Sequence, residues 1–251
     1  MNEPEGNAWL GGRLRLQQAL TGHRVGTDAA LLAAAAPTGF GGLCVDLGAG
    51  VGAVGLAVAA LHPGARVRLV EIDQAAAALA AANVAANGLE ARVAVIVADV
   101  LADRRARRQA GLEPASADLV LTNPPYLDAR VARISPDAAR AQAHVMPDGG
   151  LGLWMATACD LVRPGGHAVA IHRADALPAL LSALDGFGAI AVRPVQPRDA
   201  AAAVRVLVQA KRGSRAPFRL LPPLVLHGEG GVFTALADAL HRGDAVLDWT
   251  S

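Results

Sequence analysis

One tyrosine occurs in the 251-residue chain, Tyr126, and it closes the tetrapeptide Asn123-Pro124-Pro125-Tyr126. The tetrapeptide follows the apolar run Asp118-Leu119-Val120-Leu121-Thr122, which reads as a buried strand. A strand ending this way presents one amide, one carbonyl with no competing amide hydrogen beside it, because Pro125 has no N–H, and one flat ring. Such a set suits a planar substrate carrying an exocyclic or amide nitrogen, and it points to amino-group methylation. The lone pair of that nitrogen is delocalised into a ring or carbonyl, so positioning must supply much of the rate. In this reading the Asn123 side-chain oxygen and the Pro124 carbonyl accept the two N–H hydrogens, while Tyr126 stacks on the substrate plane and fixes the angle for in-line displacement. Deprotonation can follow transfer, so no strong base is needed. The competing reading is structural: two prolines stop a strand and an aromatic ring packs on the turn.

A second candidate site is Asp46-Leu47-Gly48-Ala49-Gly50-Val51-Gly52, which follows a predicted strand and opens a helix. There a glycine-rich turn lets backbone approach a ligand closely. A dinucleotide site, or a turn that needs only positive φ, would carry the same glycines. The next strand ends at Val70-Glu71-Ile72-Asp73, where the Glu71 carboxylate can accept both hydrogen bonds of a ribose 2′,3′-diol. Asp99 follows the third strand at a height to accept a bond from an adenine amino group, with Ile72 and Val100 as apolar cover. By itself Asp99 reads as a helix cap or turn residue. Taken together these motifs favour an adenosine ligand. NAD competes for such a turn, but a dehydrogenase needs a proton donor and usually a separate substrate domain, and neither is visible.

The elements that position these residues are legible as alternating apolar strands and alanine- and leucine-rich helices, the pattern of a parallel sheet covered on both faces. Strands are expected at 43–47, 66–71, 92–97, 119–122 and 167–172, and helices at 51–61, 74–87, 151–161 and 176–184. A further strand pair, 190–194 and 204–209, flanks a polar turn at 196–199. The expectation is a single α/β domain, residues 1–251, with a Rossmann-like core over 43–210 and a seven-stranded, mostly parallel sheet. Residues 1–42, with a helix at 28–36, form an N-terminal extension, and 211–251 form a C-terminal elaboration with a strand at 220–227 and an amphipathic segment at 232–240.

Composition limits the alternatives. Apolar residues make up 53% of the chain and aromatics 3%, so alanine, valine and leucine must build the core. Cys44 and Cys159 lie far apart and outside any CxxC or histidine cluster, which argues against a zinc site or disulfide framework and for a reducing, cytoplasmic compartment. No histidine reads as a metal ligand. The N-terminus lacks a basic region followed by an apolar one, and the apolar stretch 29–36 is far shorter than the about 20 residues that span a bilayer. The net charge is +1, so a nucleic-acid partner would have to be met by a local patch.

Residues 43–209 resemble the class I S-adenosylmethionine-dependent methyltransferases, in which positions matching Asp46, Gly48, Gly50, Glu71, Ile72, Asp99 and Val100 hold the methionine part, ribose and adenine of S-adenosyl-L-methionine. Several segments resemble the bacterial valine-tRNA adenine-N6 methyltransferase family, which modifies the adenine next to the anticodon. They are Leu16-Gln17-Gln18, His23-Arg24-Val25-Gly26-Thr27-Asp28, the Asp46 turn, Val70-Glu71, Asn123-Pro124-Pro125-Tyr126, Leu224-Val225-Leu226-His227-Gly228 and Phe233-Thr234-Ala235-Leu236. The resemblance implies that Gly26 and Thr27 lie beside the cofactor, as Asn123 does, and that tRNA is the partner. Asp28 could equally cap the following helix. Glutamine N5-methylation of release factors uses the same Asn-Pro-Pro-Tyr chemistry but comes with a larger helical N-terminal domain. A non-catalytic cofactor-binding scaffold is the third reading.

Arg104, Arg105, Arg107 and Arg108 form one basic run, and Lys211, Arg212 and Arg215 another. Either could hold phosphates or be a solvated surface. Trp154 is expected in the core of its helix. Arg140, Gln142 and His144 could order over a substrate, and His23 and Arg24 could meet a phosphate. Ordinary loop roles compete in both cases.

Overall fold

The structure, a computed structural model, describes residues 7–18, 25–125 and 149–250. It opens with a hairpin of β1 (Asn7–Trp9) and β2 (Leu14–Leu16), followed by α1 (Thr27–Ala33). The core then runs β3 (Leu43–Leu47), α2 (Ala53–Leu61), β4 (Arg66–Glu71), α3 (Gln74–Ala86), β5 (Val93–Val97), α4 (Arg104–Gln109) and β6 (Ala117–Thr122). Beyond residue 149 come α5 (Gly150–Leu161), β7 (Val162–Arg173), α6 (Leu177–Ser182), β8 (Phe187–Arg198) and β9 (Arg205–Arg212). The tail adds β10 (Arg219–Leu220), β11 (Leu224–His227) and α7 (Ala235–Arg242).

The main sheet has the order β10-β8-β9-β7-β6-β3-β4-β5, with β11 also on β8. Strands β7, β6, β3, β4 and β5 are mutually parallel, and β9 runs antiparallel between β7 and β8. The seven expected strands are therefore β3 to β9, and two short strands extend them to nine. The run 220–227 is broken because Pro222 and Pro223 have no N–H for the ladder, which leaves β10 and β11 to pair separately with β8. The expected turn at 196–199 falls at 199–204, since β8 continues to Arg198. Polar residues there signalled a turn, but they lie on a strand with an incompletely paired flank.

Side chains alternate between the two faces with the period of a strand. Cys44, Leu119, Leu121, Val169 and Ile171 pack with α1 and α2 on one face, whereas Val45, Leu47, Val120, Ala168 and Ala170 pack with α5 on the other. Every residue from Ala53 to Ala59 of α2 is buried, which suits a helix apolar on all sides. Its Gly55 lets the helix close onto β4: a Cβ there would meet Leu69 Cδ2 at 2.3 Å.

The N-terminal hairpin was not expected from the sequence. Asn83 Oδ1 accepts from Gln17 N–H at 2.7 Å, and its Nδ2 donates to the Gln17 and Val51 carbonyls at 3.0 Å each. Asn87 grips Arg15 in the same two-way fashion, with bonds of 2.9 and 2.8 Å. Two side chains one turn apart, Asn83 on α3 and Asn87 at its C-cap, thus act as a ladder partner for the edge of β2, and Asn83 ties that edge to the glycine turn.

Candidate active site

The described site residues collect along the carboxyl edge of the parallel strands, where ligands of open α/β sheets bind. At the end of β3, the Gly48 and Ala49 N–H groups both donate to the Val70 carbonyl at 2.9 Å, folding the chain back over β4. Gly48 and Gly50 have φ of 73° and 56°, a left-handed conformation that glycine adopts without steric penalty. A Cβ on Gly50 would meet nothing within 4 Å, so this bend opens onto free space.

Asp46 lies beneath the turn, 2% exposed, and its Oδ2 accepts from Gly55 N–H at 2.9 Å. Burial pushes its carboxyl up to about 7, the Gly55 bond opposes this, and the nearby Glu71 adds to it. Its direct partner is the first turn of α2, so it shapes the loop from below. Glu71 is 7% exposed and accepts three backbone N–H groups: Ile72 and Asp73 at 2.9 Å on Oε1, and Gly50 at 2.8 Å on Oε2. Oε1 has both lone-pair positions used and Oε2 keeps one. A ribose diol donating to both oxygens would have to share a position on Oε1.

Ile72 is 54% exposed at the end of β4, and Val97, the register partner of Glu71, is 52% exposed at the end of β5. Two bare aliphatic side chains at adjacent strand ends form the apolar walls available to a flat ring. Val100 was expected in that role, but it is 3% exposed and packs inward among Leu112, Leu151 and Trp154. Val97 is instead the exposed valine at this edge, which sequence reasoning missed because an edge-strand valine looks like any other core valine. Asp99 is exposed, and its Oδ1 accepts from Leu101 N–H at 2.8 Å, which leaves Oδ2 open.

One strand over, β6 delivers Asn123. The two strands are in register to their ends, with Leu47 opposite Thr122, so Asn123 stands beside Gly48. Asn123 Oδ1 is buried without a hydrogen-bond partner. Pro124 is buried and Pro125 half-buried beside it. Tyr126 lies outside the described residues, as do His23, Arg24, Arg140, Gln142 and His144.

Gly26 occupies the N-cap position of α1 without a side-chain cap bond, and Asp28 sits inside the first turn. Asp28 does not cap the helix; its Oδ2 pairs with Arg205 Nε at 2.9 Å. Arg205 opposes Arg173 at the carboxyl end of β7, so the start of α1 reaches the same sheet edge as Asn123. Thr27 Oγ1 lies 3.1 Å from His241 Nε2, while His241 Nδ1 lies 2.6 Å from the Ala237 carbonyl. A carbonyl only accepts, so Nδ1 donates to Ala237, and Nε2 shares a hydrogen bond with the Thr27 hydroxyl.

The basic runs belong elsewhere. Arg104 and Arg107 pair with Asp160 at the end of α5, Arg108 pairs with Glu113, and Arg212 donates to the Val162 carbonyl. Val162 and Lys211 mark the amino edge of the sheet, opposite the site, so these arginines tie α4, α5 and β9 together there. Trp154 is in the core, as expected, at 7% exposure. Among the described residues no group of three histidine, cysteine or acidic side chains could hold a metal ion, and no helix is long and apolar enough to cross a membrane.

A parallel sheet with a glycine turn after its first core strand and an acid ending the second is the class I S-adenosylmethionine-dependent methyltransferase fold. Sequence comparison agrees: the methyltransferase small domain family matches residues 18–158. The chain belongs to that family. A tRNA1(Val) (adenine(37)-N6)-methyltransferase of Porphyromonas gingivalis is 34% identical over 161 residues, covering 62% of this chain and 61% of the relative. A release factor glutamine methyltransferase of Gloeobacter violaceus is 35% identical over 50% of this chain and 44% of its own length. The chain thus spans less than two thirds of either relative. A crystal structure of a predicted O-methyltransferase from Agrobacterium tumefaciens superposes with a TM-score of 0.76 at 32% identity, covering 89% of this chain and 100% of that one.

Proposed function

We propose that the chain transfers a methyl group from S-adenosyl-L-methionine to the exocyclic N6 amino group of an adenine in tRNA. The observation that carries this reading is the buried, partnerless Oδ1 of Asn123, one strand from the glycine turn. A buried amide oxygen without a donor is costly, by about 1–3 kcal/mol, and an incoming N–H relieves that cost. An amide oxygen accepts a hydrogen bond but does not take up a proton at neutral pH, so it suits an amino acceptor better than a hydroxyl that must lose its proton.

The residues present fit the cofactor. The open side of Gly50 accommodates the methionine part, Glu71 Oε2 retains a lone pair for the ribose, and Ile72 and Val97 flank the adenine. When bound, the cofactor supplies an electrophilic methyl on a sulfonium. Asn123 and the Pro124 carbonyl orient the acceptor nitrogen and draw its two hydrogens aside, which aims the lone pair along the transfer axis. An adenine in a folded RNA reaches such a pocket only by leaving its stack. Tyr126 is the ring proposed to receive it. Gly26 and Thr27 cover the cofactor side, and the cytoplasm, where tRNA resides, is the proposed compartment.

Glutamine N5 of a protein is the second reading, because the same two acceptors serve an amide NH2 and a relative with that name matches half of the chain. The experiment is transfer of labelled methyl into separated tRNA, rRNA and protein fractions from cells lacking this chain. Label in tRNA recovered as N6-methyladenosine supports the proposal; label confined to protein replaces it with the second reading.

A further inference from the structure

Trp154 reaches from α5 to the two strand ends that carry the site. Its indole Nε1 donates to Thr122 Oγ1 at 2.8 Å, and the Thr122 hydroxyl donates to the Leu47 carbonyl at 2.9 Å. Trp154 is 7% exposed, and Thr122 and Leu47 are 0% exposed. Thr122 is the residue before Asn123, and Leu47 is the residue before Gly48. The same ring also lies under the turn: a Cβ on Gly48 would fall 3.0 Å from Cζ2 and 3.1 Å from Cη2 of Trp154. One indole therefore meets the cofactor turn by shape and the Asn123 strand end by a hydrogen bond.

We propose that Trp154 and Thr122 are positioning residues that set the spacing between the methyl-donor site at the Gly48 turn and the acceptor site at Asn123. The proposal rests on Asn123 being the acceptor-binding residue. Leu47 and Thr122 are the last register pair of β3 and β6, so Gly48 and Asn123 lie just past the end of the paired strands. The Thr122 hydroxyl has a single proton, and an N–H arriving at its oxygen obliges that proton to point away, toward Leu47. The indole thus fixes the direction of the bond that ties the two strand ends. Van der Waals contact under Gly48 then sets the height of the turn above the same ring. A purely space-filling aromatic would need no N–H here, and a space-filling β-branched residue at 122 would need no hydroxyl. Displacing a reacting group by about 1 Å lowers transfer on the order of 100-fold, so a small change in this relay registers in the rate.

The test uses the full chain and its Trp154→Phe, Thr122→Val, Thr122→Ser and Asn123→Ala variants. Calorimetry with S-adenosylhomocysteine gives the Kd and the number of competent sites. Single-turnover transfer of labelled methyl is then measured on whichever fraction, tRNA or protein, the parent chain labels. The expected result is that Trp154→Phe and Thr122→Val keep one site per chain and a Kd within about threefold, while the rate per occupied site falls about 10- to 100-fold. Thr122→Ser, which keeps both hydrogen bonds, returns to within about threefold of the parent, and the Trp154→Phe/Thr122→Val double variant is no slower than Thr122→Val alone. A parental rate in both Trp154→Phe and Thr122→Val overturns the proposal. So does a fall in competent sites that accounts for the whole loss, which is the signature of a merely structural role. Asn123→Ala separates the two layers: parental transfer there sinks the acceptor assignment, whereas slow transfer there with parental transfer in Trp154→Phe sinks only the relay.

Discussion

Replacing Asn123 with alanine should cut methyl transfer about 100- to 1000-fold while leaving the folded state at least as stable as the parent. In the proposed mechanism the rate effect comes from removing one of two preorganised acceptors that face positive charge developing on the nitrogen that receives the methyl. Loss of one such group from a water-excluded site is worth about 3–4 kcal/mol of transition-state stabilisation. The stability effect comes from the resting geometry. Asn123 Oδ1 is buried with no partner, so the native protein carries a desolvation penalty of about 1–3 kcal/mol that alanine removes. That gain offsets the packing lost with the side chain, and in a chain of this size each kcal/mol moves Tm by about 2–4 °C. Single-turnover transfer, cofactor titration and thermal unfolding on the same preparation check all three parts. A rate within about fivefold of the parent, or a cofactor Kd that rises in proportion to the rate loss, would refute the division between a cofactor turn and an acceptor strand end.

Glu71→Gln should weaken cofactor binding about 10- to 100-fold, because the amide NH2 replaces an oxygen that accepts backbone N–H groups and holds the Gly50 bend; titration with S-adenosylhomocysteine reads it, and an unchanged Kd counts against a ribose role. Asp46 predicts a pH effect. Its carboxyl is raised to about 7 from 3.8, so the folded state favours the protonated form, and the stability this contributes is full below about pH 4 and lost as pH rises through 7, to about 4 kcal/mol. Asp46→Asn keeps an acceptor for Gly55 and does not titrate, so its stability relative to the parent in urea should rise between pH 5 and 8; a pH-independent difference sinks the argument. Asp160→Asn should destabilise by about 3 kcal/mol, because it leaves Arg107 buried against a neutral partner, with the transfer rate per competent site unchanged. Arg105→Glu on the same amino edge should leave tRNA affinity and its salt dependence within about twofold, and a marked loss would put RNA on the wrong face of the sheet for the proposed site.

The strand ends that build the candidate site were legible because they are local. Each of Asp46, Gly48, Gly50 and Glu71 lies at the end of a strand whose apolar run announces it, and the parallel fold sends all such ends to one edge. What the sequence concealed depends on partners far along the chain. Whether Val97 or Val100 is exposed at this edge turns on which of them is buried in the cluster that holds Leu112 and Trp154, and no spacing rule supplies that. The arginines at 104, 107 and 108 read as a possible phosphate patch until Asp160 and Glu113 arrive opposite them from α5 and from the loop after α4. The hairpin at 7–16 has strands of three residues, too short for alternation to show, and its edge is completed by Asn83 and Asn87, which look like ordinary polar positions in an alanine-rich helix. Thr27 and His241 are separated by 214 residues, and only the packing of α7 on α1 joins them.

Partnerless buried atoms and bare aliphatic side chains occur elsewhere too, as at His62 Nε2, Arg107 Nε and Leu220, so none of these features marks a site alone. What sets one sheet edge apart is that several kinds converge there. At the carboxyl ends of β3 to β6 two large aliphatic side chains face solvent, an amide oxygen lacks a donor, and a carboxyl group is buried at a pKa near neutrality. These features lie within four adjacent strands. Two of them have a complement in an adenosine-bearing cofactor or an amino acceptor: a flat ring for Ile72 and Val97, and an N–H donor for Asn123. Ligand binding would then stabilise the fold by filling sites that the free protein leaves open. In the proposed site Asn123 meets the acceptor and Ile72 and Val97 meet the cofactor, so the two ligands should stabilise the protein separately. S-adenosylhomocysteine should therefore raise the Tm of parent and Asn123→Ala chains by the same amount, while an RNA or peptide acceptor should add a further rise only in the parent; equal acceptor-dependent rises in both would show that the partnerless Asn123 Oδ1 is not what the acceptor meets.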